Sequence, residues 1–367
     1  MDRNSELSPV QLVLLMVGSA LVFPYTFMPI LTTPPANQDA WLVLSISPLY
    51  ILIISAPVLF LLNKFKGRTV MEIFEVLMGK YLGKAAGLIL TAFCAFCFGA
   101  CMLITSVFIN TYVLDQTPTW AILIYMIVPI SYAAAKDAVT MGRIAMFIVP
   151  FMILTIIVFL LLGIDQMDFS VLRPVLADST FIELNQGAFL TAARYSEILI
   201  LLVFSSFLPP QSSIPKIFSA GLGLFGICFF LILIPTMTVL GVELGQQALN
   251  PYFVFTRQVE AYDFITRVQS FNILAWFPVV LLKLTIYNFM GSYVLAGIFK
   301  SNSHKGFVVP LSIIGFIICL LPALNKSSTV ELLRSDSVFP FIVLPFTFIL
   351  PLIMVLIALL KKRSIAR

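Results

Sequence analysis

The sequence predicts an all-α integral membrane protein with ten transmembrane helices, and three observations support this fold class. Of its 367 residues, 60% are hydrophobic and 11% are charged, with a mean hydropathy of +1.06, outside the usual range of soluble domains. Apolar runs of about 20 residues recur along the chain, and a helix of that length crosses a hydrocarbon core of about 30 Å. The alternating pattern of a membrane β-barrel does not occur in the sequence, so the spans are predicted to be helices.

Polar breaks divide the chain into ten predicted spans within a single transmembrane domain, residues 1–367. The first apolar run has no small-residue cleavage pattern behind it, so we interpret it as a retained helix rather than a signal peptide. The predicted spans are residues 10–31, 40–62, 85–113, 119–135, 142–164, 187–208, 217–241, 269–299, 307–324 and 340–360.

The distribution of lysine and arginine predicts the orientation of the spans. Loops on one side carry 15 of the 22 cations, namely Arg3, Lys64, Lys66, Arg68, Lys80, Lys84, Lys136, Arg143, Lys216, Lys300, Lys305, Lys361, Lys362, Arg363 and Arg367. The alternate loops carry five, namely Arg173, Arg257, Arg267, Lys326 and Arg334. Because cytoplasmic loops are enriched in these residues, both termini are expected in the cytoplasm, which also requires an even number of spans.

Two amphipathic stretches between spans favour an inverted repeat. "GRTVMEIFEVLMGKYLG" follows span two and "PYFVFTRQVEAYDFITR" follows span seven, and the two loops are predicted on opposite sides of the membrane. The residues on one helical face are Val70, Ile73, Phe74, Leu77 and Tyr81 in the first stretch, and Phe255, Val259 and Tyr262 in the second. Equivalent positions in two five-span halves of opposite topology, about 10–164 and 187–324, are typical of an inverted repeat. Taken singly, either stretch could be an ordinary interfacial helix.

Two spans contain residues that interrupt membrane helices. The first reads "VGSALVFPYTFMP", in which Gly18 and Ser19 are small and Pro24 lacks a backbone donor. The sixth contains "RYSE", which places Tyr195, Ser196 and Glu197 at a similar depth, approached from the opposite face of the membrane. Inverted-repeat transporters bind ligands near the midplane, where the first helix of each half is broken. We therefore predict that helices 1 and 6 are broken there, with a packing or kink role as the alternative for Gly18 and Pro24.

Three charged residues lie inside predicted spans and need an explanation. An ionised Glu197 near the bilayer centre costs at least a few kcal/mol, so it should face the protein interior, be protonated or pair with a cation. Two cations are available: Arg194, one turn earlier, could pair with Glu197 locally or extend to the external interface. Lys283, near mid-depth in span eight and one turn before Tyr287, is the better long-range candidate. We predict a buried polar site made by spans one, six and eight; an ion pair that only fixes helix packing is the alternative.

Other side-chain chemistry in the sequence is sparse. Cys94, Cys97 and Cys101 share a face of span three without a nearby histidine or carboxylate, so we interpret them as packing residues rather than as a metal site. His304, the single histidine, is expected in a solvated loop. No catalytic or phosphate-loop spacing occurs, so neither enzyme activity nor a cofactor is expected. The net charge of +5 is explained by loops beside anionic membrane lipid and does not indicate nucleic-acid binding.

Four segments carry a resemblance to a known family. They are "GSALVFP" in span one, "LRPVL" at 172–176, "SEILILLVFSSFLP" in span six, and "RVQSFNILAWF" leading to "KLTIY" in span eight. In their order and spacing they resemble the B subunits of GerA-type spore germinant receptors, over essentially the full length of the chain. That family belongs to the amino acid/polyamine/organocation superfamily, so the resemblance implies a LeuT-like five-plus-five inverted repeat with broken helices 1 and 6.

The resemblance implies nutrient sensing rather than catalysis. Such subunits bind a small germinant, often an amino acid, and act with a larger A subunit and a lipoprotein C subunit in the inner membrane of dormant spores. Carried over to this sequence, the ligand-binding residues would be Val17, Gly18, Ser19, Cys97, Arg194, Tyr195, Ser196, Glu197, Lys283 and Tyr287.

If the germinant is a zwitterion, each of these positions has an expected function in binding it. Backbone N–H groups freed at Gly18 and Ser19 would bind its carboxylate, and carbonyls freed near Tyr195 would bind its ammonium group. Tyr195 and Tyr287 would shape the side-chain pocket. In sodium-coupled relatives a cation bridges spans one and eight, and we expect the Lys283 ammonium group to replace it as a tethered cation.

Two other functions are compatible with the same fold and pocket, because fold alone does not determine function. A proton-coupled amino acid transporter would change the protonation of Glu197 or Lys283 during its cycle. As a weaker alternative, the protein could form part of an ion or water path within a larger complex.

Overall fold

The computed structural model describes residues 6–259, 269–323 and 338–361, and all regular structure within these ranges is helical. The α-helices are α1 (Pro9–Thr26), α2 (Ala40–Lys64), α3 (Val70–Tyr112), α4 (Thr119–Ala134), α5 (Ala138–Leu162), α6 (Phe181–Ala193), α7 (Ile198–Phe204), α8 (Ile214–Gln247), α9 (Pro251–Gln258), α10 (Gln269–Phe299), α11 (Lys305–Ala323), α12 (Phe339–Leu344) and α13 (Leu350–Leu360). Short 3₁₀ helices occupy Pro29–Leu31, Ile164–Gln166, Phe169–Leu172 and Ser205–Phe207, and a π-helical turn, Pro345–Ile349, joins α12 to α13.

Helices occur at all ten predicted spans. Eight helical segments in the described ranges are long and apolar enough to cross a membrane, counting Phe181–Phe207 and Phe339–Leu360 as one segment each. Two shorter apolar helices, Thr119–Ala134 and Lys305–Leu320, lie where spans four and nine are predicted. The all-α membrane class is therefore confirmed, whereas ten complete crossings remain a prediction.

Three helices begin at capping boxes that are visible in the sequence. In each, a Ser or Thr side chain accepts the backbone N–H three residues on, and a Gln or Glu side chain there accepts the N–H of the cap residue. The pairs are Ser8 with Gln11 at α1, Thr69 with Glu72 at α3, and Thr180 with Glu183 at α6. These caps satisfy backbone donors at helix ends, where the chain leaves the apolar environment.

The first span is not broken at Gly18 and Ser19, where a break was predicted. α1 is helical through Gly18 and Ser19 and contains Pro24, so the prediction of freed N–H groups at Gly18 and Ser19 is wrong. Gly18 serves close packing instead, because a Cβ atom there would lie 2.6 Å from Cγ2 of Val149 on α5. The helix ends at Thr26, and the chain changes direction at Met28, whose φ of +45° lies in the left-handed region.

The sixth span is broken as predicted. α6 ends at Ala193 and α7 begins at Ile198, so residues 194–197 form a non-helical segment inside the span. We call these four residues the span-six break. The break lies between the C-terminus of α6 and the N-terminus of α7. Its side chains can therefore point in directions that a continuous helix would not permit.

The first amphipathic stretch forms the beginning of α3 rather than a separate helix. Val70, Ile73, Phe74 and Leu77 are buried, but Tyr81 is 84% exposed, so its predicted place on the same face is wrong. The cause is Gly79, whose φ of +80° and ψ of 173° interrupt the helical geometry and turn the following residues to another face.

The second amphipathic stretch includes α9. Phe255 and Val259 are buried as predicted, whereas Tyr262 lies outside the described residues. α8 contains a comparable interruption at Gly241, with φ +75° and ψ 166°, before the chain reaches α9.

α1 and α10 lie at the centre of the helix arrangement. α10 packs along α3 and also contacts α1, α4, α5 and α11, while α1 contacts α5, α8 and α10. α7 contacts both α1 and α10, which places the span-six break beside the two central helices. The buried polar residues Ser19, Glu197 and Lys283 meet at this junction.

We predict that Gly187→Ala lowers the melting temperature of the protein in detergent. A Cβ atom at Gly187 on α6 would collide with the backbone carbonyl oxygen of Pro34, and overpacking of this kind costs about 1–3 kcal/mol. Gly223→Ala on α8 is the control, because no described atom outside its own helix lies within 4 Å of the added carbon. Equal melting temperatures for the two variants would contradict the close approach of α6 to the segment that follows α1.

Candidate functional site

A buried cluster of three residues joins the two central helices to the span-six break. Lys283 on α10 forms an ion pair with Glu197, with 3.1 Å between Nζ and Oε1, and their side chains are 1% and 3% exposed. Lys283 Nζ also donates to the carbonyl oxygen of Ser19 on α1 at 2.8 Å, and Ser19 Oγ donates to Glu197 Oε1 at 3.1 Å. We call Ser19, Glu197 and Lys283 the Lys283 cluster.

The surroundings of Lys283 explain how a buried ammonium group is tolerated. Removing two charges from water costs several kcal/mol per ion, which only close pairing and additional hydrogen bonds offset. The ammonium group has one carboxylate and one carbonyl acceptor, and it lies 4.3 Å from the ring centroid of Phe23 and 5.8 Å from that of Tyr287. Attraction between a cation and an aromatic face adds to the stabilisation, most where water is excluded.

Glu197 pairs with Lys283, one of the two cations that the sequence offered as its partner. The ion pair in the structure is formed by Lys283, and the Arg194 guanidinium group donates to Thr33 Oγ1 at 3.2 Å, in the segment that follows α1. Arg194 is only 8% exposed, so it is buried at the end of α6. The prediction that spans one, six and eight together make a buried polar site agrees with these contacts.

Three more predicted site residues, Ser196, Tyr287 and Tyr195, lie at or beside the span-six break. Ser196 Oγ and Tyr287 OH share a hydrogen bond of 2.7 Å beside the Lys283 cluster, which connects the span-six break to α10 a second time. Tyr195 points away from α10 and packs against Phe225, with ring centroids 5.8 Å apart.

Three predicted residues lie in helix contacts rather than at the cavity described next. Val17, Gly18 and Cys97 are buried, but none of them lines that cavity. Gly18 faces α5 and α10, where Val149 and Val279 approach it.

A cavity of about 60 Å³, measured as space open to the centre of a water molecule, adjoins Glu197. It lies between α1, α2, α6 and α8, and its walls are mainly apolar. The apolar lining includes Leu44, Ile51, Leu222, Phe225 and Phe229, and the polar lining includes Thr191, Arg194 and Glu197.

The contribution of α2 and α8 to this cavity was not predicted from the sequence. Neither helix carries a charged residue at the cavity, so a search of the spans for buried charges does not identify them. The available signal was the string "GLGLFGICFF" in α8, in which three glycines are interspersed with large apolar residues and Gly226 lines the cavity. Glycines of this kind leave space between helices that bulky neighbours do not fill.

The helix arrangement, with a charged cluster at a break inside a membrane-spanning segment, defines a protein of the transporter-fold class. Comparison with solved structures supports this class. Mhp1, a nucleobase-cation-symport-1 family transporter with bromovinylhydantoin bound, aligns with a TM-score of 0.64 at 12% identity, covering 91% of this chain and 79% of Mhp1. A manganese transporter from Eremococcus coleocola aligns with a TM-score of 0.51 at 12% identity, covering 94% and 77% of the two chains. The predicted LeuT-like fold class is therefore confirmed, while the residue boundaries of the two repeats remain a prediction.

Sequence comparison identifies the family. The model of the spore germination protein family matches residues 6–328, and the chain belongs to this family, Spore_permease. The spore germination protein YndE of Bacillus subtilis (strain 168) is 21% identical over 367 residues, covering 98% of both chains. The resemblance found in the sequence is thus confirmed at the level of the family, whose members and fold neighbours are permease-like or transporter-like rather than enzymes.

We predict that the Lys283 cluster shows strong energetic coupling. Lys283→Met leaves Glu197 buried without its cation and should destabilise the protein by about 3–5 kcal/mol, and Glu197→Gln should also destabilise it. The double variant should lose less stability than the sum of the two single changes, measured as melting temperatures in detergent.

Lys216→Met is the control for this prediction, since Lys216 is an exposed lysine. Additive losses in the double variant would mean that the two charges do not stabilise one another in the folded protein.

Proposed function

We propose that this chain is the nutrient-sensing membrane subunit of a spore germinant receptor. It binds a small germinant in a pocket of the transporter type and signals to partner subunits to start germination. Membership of the spore germination protein family over residues 6–328 supports the biological process. The observation that carries the sensing function is the Lys283 cluster, in which one side chain bonds to both α1 and the span-six break next to a cavity.

Ligand binding at this place has a direct route to a conformational change. The contacts of Lys283 Nζ to Ser19 and Glu197 hold α1, α7 and α10 in one arrangement. A solute that interacts with Glu197 changes the relative free energy of this arrangement and any other in which the helices separate. The germinant then acts by shifting a population, and partner subunits detect the shift at the faces of the helices.

Lys283 takes the place of a bound metal cation in this proposal. Its Nζ atom lies 2.8 Å from a backbone carbonyl on α1 and 3.1 Å from a carboxylate, which are the ligand types that a sodium ion uses. A covalently tethered ammonium group provides the same positive charge between α1 and α10 without an ion from solution.

The proposed assembly consists of this chain, an A subunit and a lipoprotein C subunit in the inner membrane of the spore, with both termini in the cytoplasm. The distribution of cations supports this orientation. Contacts at the predicted cytoplasmic face agree with it, since Lys64 Nζ donates to the carbonyl of Ala358 and Lys361 Nζ to that of Leu77, both at 2.9 Å. The loop after span two and the start of the C-terminal tail, both predicted in the cytoplasm, thus lie together.

A proton-coupled amino acid transporter is the second candidate. The pair of titratable side chains in the Lys283 cluster favours it, because a proton taken up by Glu197 would release Lys283. Both aligned structures are also of transporters. Steady, saturable uptake of an amino acid by the purified chain in liposomes, without other subunits, would support transport over sensing.

We predict that deleting the gene in its host removes the response of the spores to at least one nutrient, measured as the fall in optical density during germination. The Lys283→Ala variant at normal protein levels should reproduce this loss, because α10 is no longer joined to α1 and the span-six break. Lys216→Ala should respond normally. A normal response of Lys283→Ala spores would contradict the proposed function of the Lys283 cluster.

We further predict that this response does not depend on sodium. Replacing sodium by potassium or choline in the germination medium should change the rate less than twofold, because the ammonium group of Lys283 already occupies the cation position. A requirement for sodium that saturates with concentration would show that a metal ion is needed in addition to Lys283.

A further inference from the structure

The free space beside Glu197 lies on one side of the span-six break only. Toward α10, the carboxylate meets the ammonium group of Lys283, which is itself covered by the rings of Phe23 and Tyr287. The cavity lies on the opposite side, between α1, α2, α6 and α8, and no described residue of α3 or α10 lines it. A ligand that reaches Glu197 through open space therefore approaches from α2 and α8.

Two polar groups at this cavity have hydrogen-bonding capacity that no described residue uses. Both contacts of the Glu197 carboxylate use Oε1, and no described residue donates a hydrogen bond to Oε2, although Glu197 is only 2% exposed. The hydroxyl group of Thr191 is also buried without a hydrogen-bond partner in the described part of the chain. Buried polar groups are normally paired with protein, water or ligand, so two at one cavity indicate a polar occupant.

These polar groups share one side of the interrupted span. Thr191 lies in the last turn of α6, and Arg194 and Glu197 are the first and last residues of the span-six break. All three line the cavity, whereas the opposite walls are aliphatic and aromatic, with Leu44, Ile51 and Phe229 among them. The cavity thus has one polar edge and an apolar body.

From this arrangement we infer that a small aliphatic solute with a protonated amine binds in the α2–α8 cavity, with its amine donating to Glu197 Oε2 and its hydrocarbon part against α2 and α8. This inference rests on the proposed function and specifies the site and the ligand class. A carboxylate oxygen forms its strongest hydrogen bonds with cationic donors. The cavity volume of about 60 Å³ is several times the roughly 10–15 Å³ that a single water molecule requires, so the cavity admits a small solute.

The inferred position of the amine explains how binding would reach α10. The ligand and Lys283 share one carboxylate, with the ligand on Oε2 and Lys283 on Oε1. A second cation on the same carboxylate weakens its attraction for the first, so occupancy of the cavity loosens the contact between the span-six break and α10. α3 and α10 need not touch the ligand for this to occur.

The ligand class is tested by binding to the purified full-length chain in detergent. Valine, leucine and isobutylamine are compared with isovalerate and isobutyrate, which have similar hydrocarbon parts but no amine. We expect at least one amine-bearing compound at millimolar concentration to raise the melting temperature by about 2–5 °C, and the two acids to have no effect. Stabilisation by an acid, or by none of the compounds, overturns the assignment.

The location is tested by a matched pair of glycine variants on α8. No described atom outside its own helix lies within 4 Å of a Cβ atom built at Gly226 or Gly223, and only Gly226 lines the cavity. Gly226→Leu should weaken binding of the stabilising compound at least tenfold, and Gly223→Leu should leave it unchanged. Equal binding by both variants places the ligand elsewhere.

A second pair of variants keeps the test independent of how well Gly226→Leu folds. Thr191→Val removes the unpaired hydroxyl with little change in volume and should weaken binding, while Thr191→Ser retains the hydroxyl and should bind as the unmodified chain does. Failure of the proposed function would appear differently, as normal germination after deletion of the gene. Loss of germination on deletion, together with normal binding by Gly226→Leu, would overturn the site alone.

Discussion

The ion pair between Lys283 and Glu197 is the interaction on which the arrangement of the central helices depends. Both side chains are nearly inaccessible to water, and a carboxylate without its cation would be strongly unfavourable at this depth. The pair therefore requires α10 to lie against the span-six break, and the contact to the Ser19 carbonyl requires α1 to lie there as well. Because the charges must remain together, any movement of one of these three elements changes the energy of the other two.

The span-six break gives a single carboxylate access to two different environments. On one side, Glu197 meets a packed region containing Lys283 and Tyr287, and on the other it borders a cavity with apolar walls. A continuous helix would have directed residues 194–197 around its circumference at fixed angles. Ending α6 at Ala193 and starting α7 at Ile198 releases the backbone from that restriction. The same four residues can then hold helices together and border a space for a solute.

The parts of the fold that could be predicted from sequence are those with a large energetic signature. Helices in lipid need long apolar runs, and a buried Glu197 needs a cation, so the spans, the sixth-span break and the pairing region followed from the sequence. The failures concern Gly18 and Tyr81, and in both cases a glycine, Gly18 itself or Gly79 before Tyr81, had two possible uses. Gly18 could permit either unwinding or close packing, and only the position of Val149 on α5 decides between them. The contribution of α2 and α8 to the cavity was missed because empty space between helices depends on three-dimensional packing, which leaves little trace in any one segment.

Pro24 has a consequence that extends beyond the shape of α1. A proline has no N–H group, so the carbonyl of Ala20, one turn earlier, has lost the donor that a regular helix supplies. Ala20 and Pro24 both line the cavity. The first span thus remains an intact helix, which keeps Ser19 in place for Lys283, while the carbonyl group of Ala20 has no donor from within the helix at position 24. The predicted unwinding would have freed polar backbone groups at the cost of a rigid helix. With Pro24, α1 has a backbone carbonyl without its helical donor and remains helical.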